Sequence, residues 1–167
     1  FYFFTFLHKM DFSVEESVKD FIFKFCQEHF LDISNITLVG GSKGGSAALY
    51  FGIKYSFKNI ISAAPQIHIG SFNTRVHKDV AAHMMRGEED ISILDHIFDQ
   101  IIISTSNTEK NIYIFSSPVD QYETCIQIHS SLTKFKNFNH IITKSRCVEQ
   151  HNQITSYNLP LILRSEE

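Results

Sequence analysis

The stretch Asn35-Ile36-Thr37-Leu38-Val39-Gly40-Gly41-Ser42-Lys43-Gly44-Gly45-Ser46-Ala47-Ala48-Leu49-Tyr50-Phe51-Gly52-Ile53-Lys54 decides the fold. Residues 35–39 are a short apolar run bounded by polar neighbours, which reads as a strand. Residues 46–54 carry the composition of a buried helix. Between them lie four glycines, one serine and one lysine. A strand that turns sharply into a helix through such a segment is the basic unit of an α/β protein.

Working outward, the same alternation recurs. Residues 59–64 form an apolar strand ended by Pro65, residues 111–117 a third, and residues 140–145 a fourth, with a helix expected over 122–136. Upstream, Ser13 and Glu16 stand at capping-box spacing and start a helix over 13–30, with Val18, Phe21, Ile22, Phe25 and Cys26 on one face. Residues 1–8 read as a further strand rich in aromatics. Residues 66–108 are polar and histidine-rich, with helical patches near 77–86 and 90–101, and are expected to form a lid or insertion. Near-continuous apolar strands alternating with helices imply a mostly parallel sheet with helices on both faces. The expected organisation is therefore one α/β domain over 1–167.

Composition narrows the function classes. A net charge of −3 across 167 residues gives no footprint for nucleic acid. Three widely spaced cysteines contain no CxxC pair, so neither a disulfide framework nor a metal site is indicated, and a reducing, cytoplasmic setting is the simplest expectation. No cofactor box is legible. The 16 Phe and 6 Tyr are read as core.

The glycine-rich turn carries the chemistry. Gly40-Gly41-Ser42-Lys43-Gly44 fits the G-x-S-x-G elbow, in its required strand-turn-helix context. Such a turn strains the serine backbone and leaves no room for bulk at the outer positions, Gly40 and Gly44. It aims the Ser42 hydroxyl into the cleft at the strand's carboxyl end, and the backbone N–H of Lys43 at a forming oxyanion. The Lys43 side chain itself is expected to be solvated. A plain structural turn or a phosphate-binding turn stays open on the motif alone. Neither the Walker pattern nor the dinucleotide fingerprint can be aligned to these glycines.

A serine nucleophile needs a base, and the base needs an acid to orient it. Asp120 follows the strand 111–117, and His151 follows the strand 140–145. The order Ser42, Asp120, His151 is that of hydrolases whose three groups project from the carboxyl ends of parallel strands. Read separately, Asp120 is an ordinary turn or cap residue and His151 an ordinary surface histidine. Glu123 is a reserve acid, and His140, placed at a strand start, lies at the wrong edge.

These residues resemble the α/β-hydrolase superfamily. Residues 41–52 together with Ile60-Ile61-Ser62-Ala63-Ala64-Pro65-Gln66 and Ile69-Gly70 resemble a bacterial subgroup of capsular polysaccharide biosynthesis proteins and accessory Sec system components. The resemblance implies a serine-dependent acyltransferase or esterase acting on an ester-bearing carbohydrate, with a small-molecule acyl donor and a glycan acceptor. It also implies peripheral association with a glycan or secretion assembly. A non-catalytic scaffold in such an assembly and a nucleotide-binding α/β domain are the rival expectations. A complete hydrolase sheet has several strands before the elbow, where this chain has room for one. An N-terminally truncated hydrolase with an exposed sheet edge is therefore expected, lacking the loop that supplies the second oxyanion donor.

Overall fold

The computed structural model of the chain describes residues 7–120 and 122–164, the side chains of residues 122–125 excepted. Four strands form one sheet: β1 (Thr37–Gly41), β2 (Asn59–Ala63), β3 (Asn111–Ser116) and β4 (Asn137–Ile142). They lie side by side in chain order and every neighbouring pair is parallel. The α/β class and the parallel sheet are as the apolar runs imply. The strand expected over 1–8 falls mostly outside the described residues; His8 makes an isolated antiparallel bridge with Asp11.

Sequential strand order has a geometric consequence. Parallel crossovers are right-handed, so strands added always on the same side place all their connecting helices on one face. Helices α2 (Lys43–Lys54), α6 (Ile97–Ser104) and α7 (Tyr122–Leu132) form that layer, α6 packing against both α2 and α7. The larger core lies beneath them, joining Leu49, Ile53, Ile60, Phe98, Ile112 and Ile114. The period of two along β2 and β3 sends Ile61, Ala63 and Phe115 to the opposite face, where Ile162 covers them. Ile162 belongs to α8 (His151–Arg164), the helix that follows β4. Helices thus lie on both faces, but the second face carries α8 alone among the described residues.

Four α-helices remain. Helix α1 (Ser13–Glu28) ends two residues before the expected boundary, and the expected capping box is not formed. Phe12 takes the N-cap position, which puts Ser13 and Glu16 one step out of phase for the box; the Ser13 N–H donates to Asp11 Oδ1 at 2.8 Å, and the Glu16 carboxylate accepts from Lys19 and Tyr55. Buried Glu15 fastens α1 to α2, accepting from Tyr50 Oη at 3.1 Å, from Lys54 Nζ at 2.6 Å and from Tyr55 Oη. Between β2 and α6 the chain forms α3 (Ile69–Val76), α4 (Lys78–Met84) and α5 (Glu89–Asp95). Among the described residues no helix is long and apolar enough to cross a membrane.

β4 starts and ends three residues earlier than expected, at Asn137–Ile142. The polar alternation of Asn137-Phe138-Asn139-His140 hides a strand whose outer face is half solvated. His140 consequently sits in mid-strand, opposite Ile114, and not at the strand's start.

The far end of α2 is held by an unusual anchor. Lys110, fully buried ahead of β3, donates from Nζ to the Gly52 carbonyl at 3.0 Å and the Phe57 carbonyl at 3.1 Å. Burial lowers its pKa to about 8. Between that value and the ordinary lysine range near 10.4, the unfolded chain holds a proton that the folded chain does not. Unfolding free energy should therefore rise with pH across this window, and Lys110→Met should flatten the rise, as read by urea melts at stepped pH.

Candidate active site

Ser42 is the residue on which β1 ends and α2 begins. Its backbone lies at φ 55° and ψ −122°, in a region that side-chain-bearing residues rarely adopt. Two hydrogen bonds hold it there: its N–H donates to the Ala63 carbonyl at 2.7 Å, and its carbonyl accepts from the Ser46 N–H at 3.0 Å. The first continues the β1–β2 ladder by one residue, and the second closes the first turn of α2.

The glycines answer to different neighbours. A Cβ on Gly40 would lie 2.0 Å from the Gly44 carbonyl oxygen, so the turn closes only without a side chain there. A Cβ on Gly41 would meet Thr155 Oγ1 at 2.6 Å, and Thr155 belongs to α8. Gly41 therefore lets the helix of His151 approach β1. The steric role expected of Gly44 is not present, because a Cβ built there meets nothing within 4 Å. The α2 residue that touches the sheet is Gly45, whose Cβ would lie 2.7 Å from the Ala63 carbonyl oxygen. Helical rotation places Gly45, one step beyond the motif, over β2 and leaves Gly44 exposed.

The structure brings Ser42, His151 and Asp120 together. His151 Nε2 lies 2.7 Å from Ser42 Oγ, and His151 Nδ1 lies 2.7 Å from Asp120 Oδ2. The imidazole is about one-third exposed and the carboxylate less, with side-chain exposures of 34% and 14%. Asp120 sits in the turn between β3 and α7, its N–H donating to the Ser117 carbonyl at 3.1 Å. His151 opens α8, a helix that the sequence reading did not anticipate because Pro160 interrupts an otherwise weak apolar pattern. The reserve acid Glu123 lies among the residues whose side chains are not described.

Hydrogen bonding to Asp120 raises the His151 pKa above its ordinary value of 6.5, against the opposing effect of burial, and the carboxylate charge adds to the rise. A proton on Nδ1 faces Asp120 and leaves Nε2 free to accept from the Ser42 hydroxyl. The sign follows: a raised histidine pKa gives stability that is full below about pH 6.5 and fades as pH climbs through the folded value. The Lys43 backbone N–H lies at the N-terminus of α2, where a helix has donors without intrahelical acceptors and a partial positive charge. The Lys43 side chain is partly buried instead of fully solvated, and burial lowers its pKa.

Further residues shape this edge without a local sequence signal. Buried Ser46 clamps the chain after β2, donating from Oγ to the Gln66 carbonyl at 2.8 Å and accepting from the Gln66 N–H at 2.7 Å. Ser116 at the end of β3 pairs with His140 Nε2 at 2.7 Å. Burial, and to a lesser degree nearby His129, lowers the His140 pKa. Among the described residues no group of three or more His, Cys, Asp or Glu side chains is gathered to hold a metal.

Two predictions arise here. In an NMR titration, the His151 imidazole should titrate above pH 6.5, and Asp120→Asn should bring it down. In urea melts, Gly45→Ala should cost roughly 1–3 kcal/mol by overpacking α2 against β2, whereas Gly44→Ala, helical and with room for a Cβ, should stabilise by about 0.4–1 kcal/mol.

No protein-family model and no curated protein matches the chain. Solved structures of the capsule O-acetyltransferase of Neisseria meningitidis serogroup A share its fold. One matches at 22% identity with a TM-score of 0.66, covering 89% of this chain and 63% of the other. A mutant in complex with CoA matches at 22% identity and a TM-score of 0.62, over 86% of this chain and 63% of the other. A complex with caged gadolinium matches at 20% identity and a TM-score of 0.65, over 92% and 65%. The chain thus spans slightly under two thirds of the length of these structures, and what it has in common with them is an α/β fold built on a parallel sheet.

Proposed function

We propose that this chain carries the catalytic core of a serine-dependent acyltransferase or esterase of α/β-hydrolase type, acting on an ester-bearing carbohydrate. The observation that carries the reading is the continuous hydrogen-bonded line from Ser42 Oγ through the His151 ring to Asp120 Oδ2, both links 2.7 Å, on a strained elbow. The likeness in fold to a capsule O-acetyltransferase, seen once in complex with CoA, supports transfer to a glycan from a small-molecule acyl donor.

In the proposed reaction, His151 Nε2 takes the Ser42 proton as Oγ attacks the acyl carbonyl. Asp120 holds the ring and stabilises the imidazolium. The carbonyl oxygen gathers negative charge and is met by the Lys43 N–H and the α2 N-terminus. Collapse expels the donor's leaving group, protonated by His151. A sugar hydroxyl or water, deprotonated by the same ring, then attacks the acyl-serine and releases Ser42. Helices α3–α5 would border the cleft as a lid. The setting that fits an acyl donor of this kind is cytoplasmic, with peripheral attachment to a glycan-assembling or secretion complex.

A fluorophosphonate probe tests the reading directly. It should label Ser42, and labelling should fall by at least roughly a hundredfold in His151→Ala. Because the neutral ring is the base, the labelling rate should drop as pH falls through the raised His151 pKa. Should Ser42 resist labelling at every pH in the full-length form as well, the scaffold reading replaces catalysis.

A further inference from the structure

The two helices that meet at Ser42 are secured differently. Helix α2 is fastened along its length by the main core, by Glu15 and by Lys110. Among the described residues helix α8 lies alone on its face of the sheet, and its buried stripe consists of Ile154, Asn158 and Ile162. Tyr157, Leu159, Leu161 and Leu163 on the same helix are exposed. Apolar contacts have no direction, so Ile154 and Ile162 hold α8 against the sheet without fixing where it stops along its axis. Thr155 against Gly41 sets how close the helix comes, but not its translation.

A short polar chain supplies the missing constraint. The Thr143 N–H, just past β4, donates to the Ser116 carbonyl at 2.8 Å and so ties β4 to the end of β3. Thr143 Oγ1 donates to Asn158 Oδ1 at 2.9 Å, and Asn158 Nδ2 donates to the Ile154 carbonyl at 2.8 Å in the first turn of α8. Ser116, Thr143 and Asn158 are buried, with exposures of 3%, 8% and 6%. Ser116 also begins the segment that carries Asp120. The chain therefore connects the acid's strand to the base's helix by directional bonds through an apolar layer.

We infer that Thr143 and Asn158 are positioning residues that set the axial register of α8, and through it the placement of His151 between Asp120 and Ser42. Asn158 stands seven residues after His151, close to two full turns and about 10.5 Å along the axis, on the same helical face. A rigid helix passes any slide at Asn158 undiminished to His151. A slide of about 1 Å would lengthen a bond of 2.7 Å by up to that amount along the bond and tilt it out of line otherwise, and either weakens it. Pro160 has no N–H to give the Ser156 carbonyl, so one helical bond is absent around Asn158, and the Asn158 side chain ties this turn back to the Ile154 carbonyl on the base's side.

This inference rests on the triad reading for its catalytic meaning, but its test does not depend on turnover. The measurement is the NMR titration of the His151 imidazole in Thr143→Val, which keeps the side-chain shape and removes the hydroxyl. The His151 midpoint should fall toward the ordinary value as the Asp120 bond loosens, and fluorophosphonate labelling at pH 7 should slow by roughly tenfold or more. Thr143→Ser, which restores the hydroxyl, should return both. The double variant Thr143→Val with Asn158→Leu leaves no orphaned buried amide and guards against simple failure to fold. It should show the same displaced midpoint. An unchanged His151 midpoint in either folded variant overturns the inference, whatever its effect on melting temperature. A shifted midpoint in a protein whose Ser42 resists the probe would overturn the catalytic reading and leave the positioning role standing.

Discussion

The backbone of Ser42, held at φ 55°, is the constraint from which the rest of this edge is built. Such a conformation persists only where the surroundings over-determine it. Here they do so from three sides. The Ala63 carbonyl captures the Ser42 N–H, the Ser46 N–H captures its carbonyl, and Gly40 permits the turn to close within 2.0 Å of where a side chain would begin. Ser46 then binds both backbone groups of Gln66, so the residue that closes the turn also fixes the exit of β2. Strain at one residue is distributed over two strands and a helix.

The ladder running past the strand ends explains how side chains distant in sequence converge. Ser42 donates to Ala63, Ala64 donates to Phe115, and Thr143 donates to Ser116, each between 2.7 and 2.8 Å. These bonds prolong the sheet beyond its regular strands and align the exits of all four. Sequential strand order puts α2, α6 and α7 on one face and leaves α8 to return along the other. Ser42 therefore approaches the site from the helical layer's side, and His151 from the opposite face, with Asp120 from the turn between β3 and α7. Their meeting depends on the thickness of one sheet, which is why Gly41 has no side chain to hold α8 away.

Much of this was legible in the sequence because the signals are local. The apolar runs at 35–39, 59–64 and 111–117 gave the parallel sheet, and the glycine turn placed Ser42. Chain order, with their places just after the strands 111–117 and 140–145, then singled out Asp120 and His151 from 18 acidic residues and nine histidines. What escaped were features fixed by tertiary partners. Gly45, not Gly44, touches the sheet, because helical phase and not motif position decides which glycine faces β2. Glu16 does not cap α1, because the helix takes Phe12 as its N-cap and leaves Ser13 and Glu16 out of phase. α8 was hidden by Pro160 and a weak apolar pattern, and the partner of its buried Asn158, Thr143, is visible only in the fold. A usable signal existed even there, since the spacing from His151 to Asn158 sets both on one helical face.

A second Ser–His pair in the same sheet shows what distinguishes the candidate site. Ser116 and His140 are also 2.7 Å apart, the same separation as Ser42 and His151. The Ser116 pair lies within the ladder, on ordinary strand backbone, its serine almost fully buried. Its histidine faces another imidazole across 5.7 Å, and burial pushes its pKa down. The Ser42 pair has a carboxylate on the far nitrogen, a partly exposed ring and a pKa pushed up. An imidazole whose pKa is depressed is a poor proton acceptor, and a serine sealed in a strand has no path to a substrate. Distance between oxygen and nitrogen is therefore common to both pairs. The carboxylate, the strained turn and the opening to solvent belong to Ser42 alone of these two, and on those the chemical assignment of this edge rests.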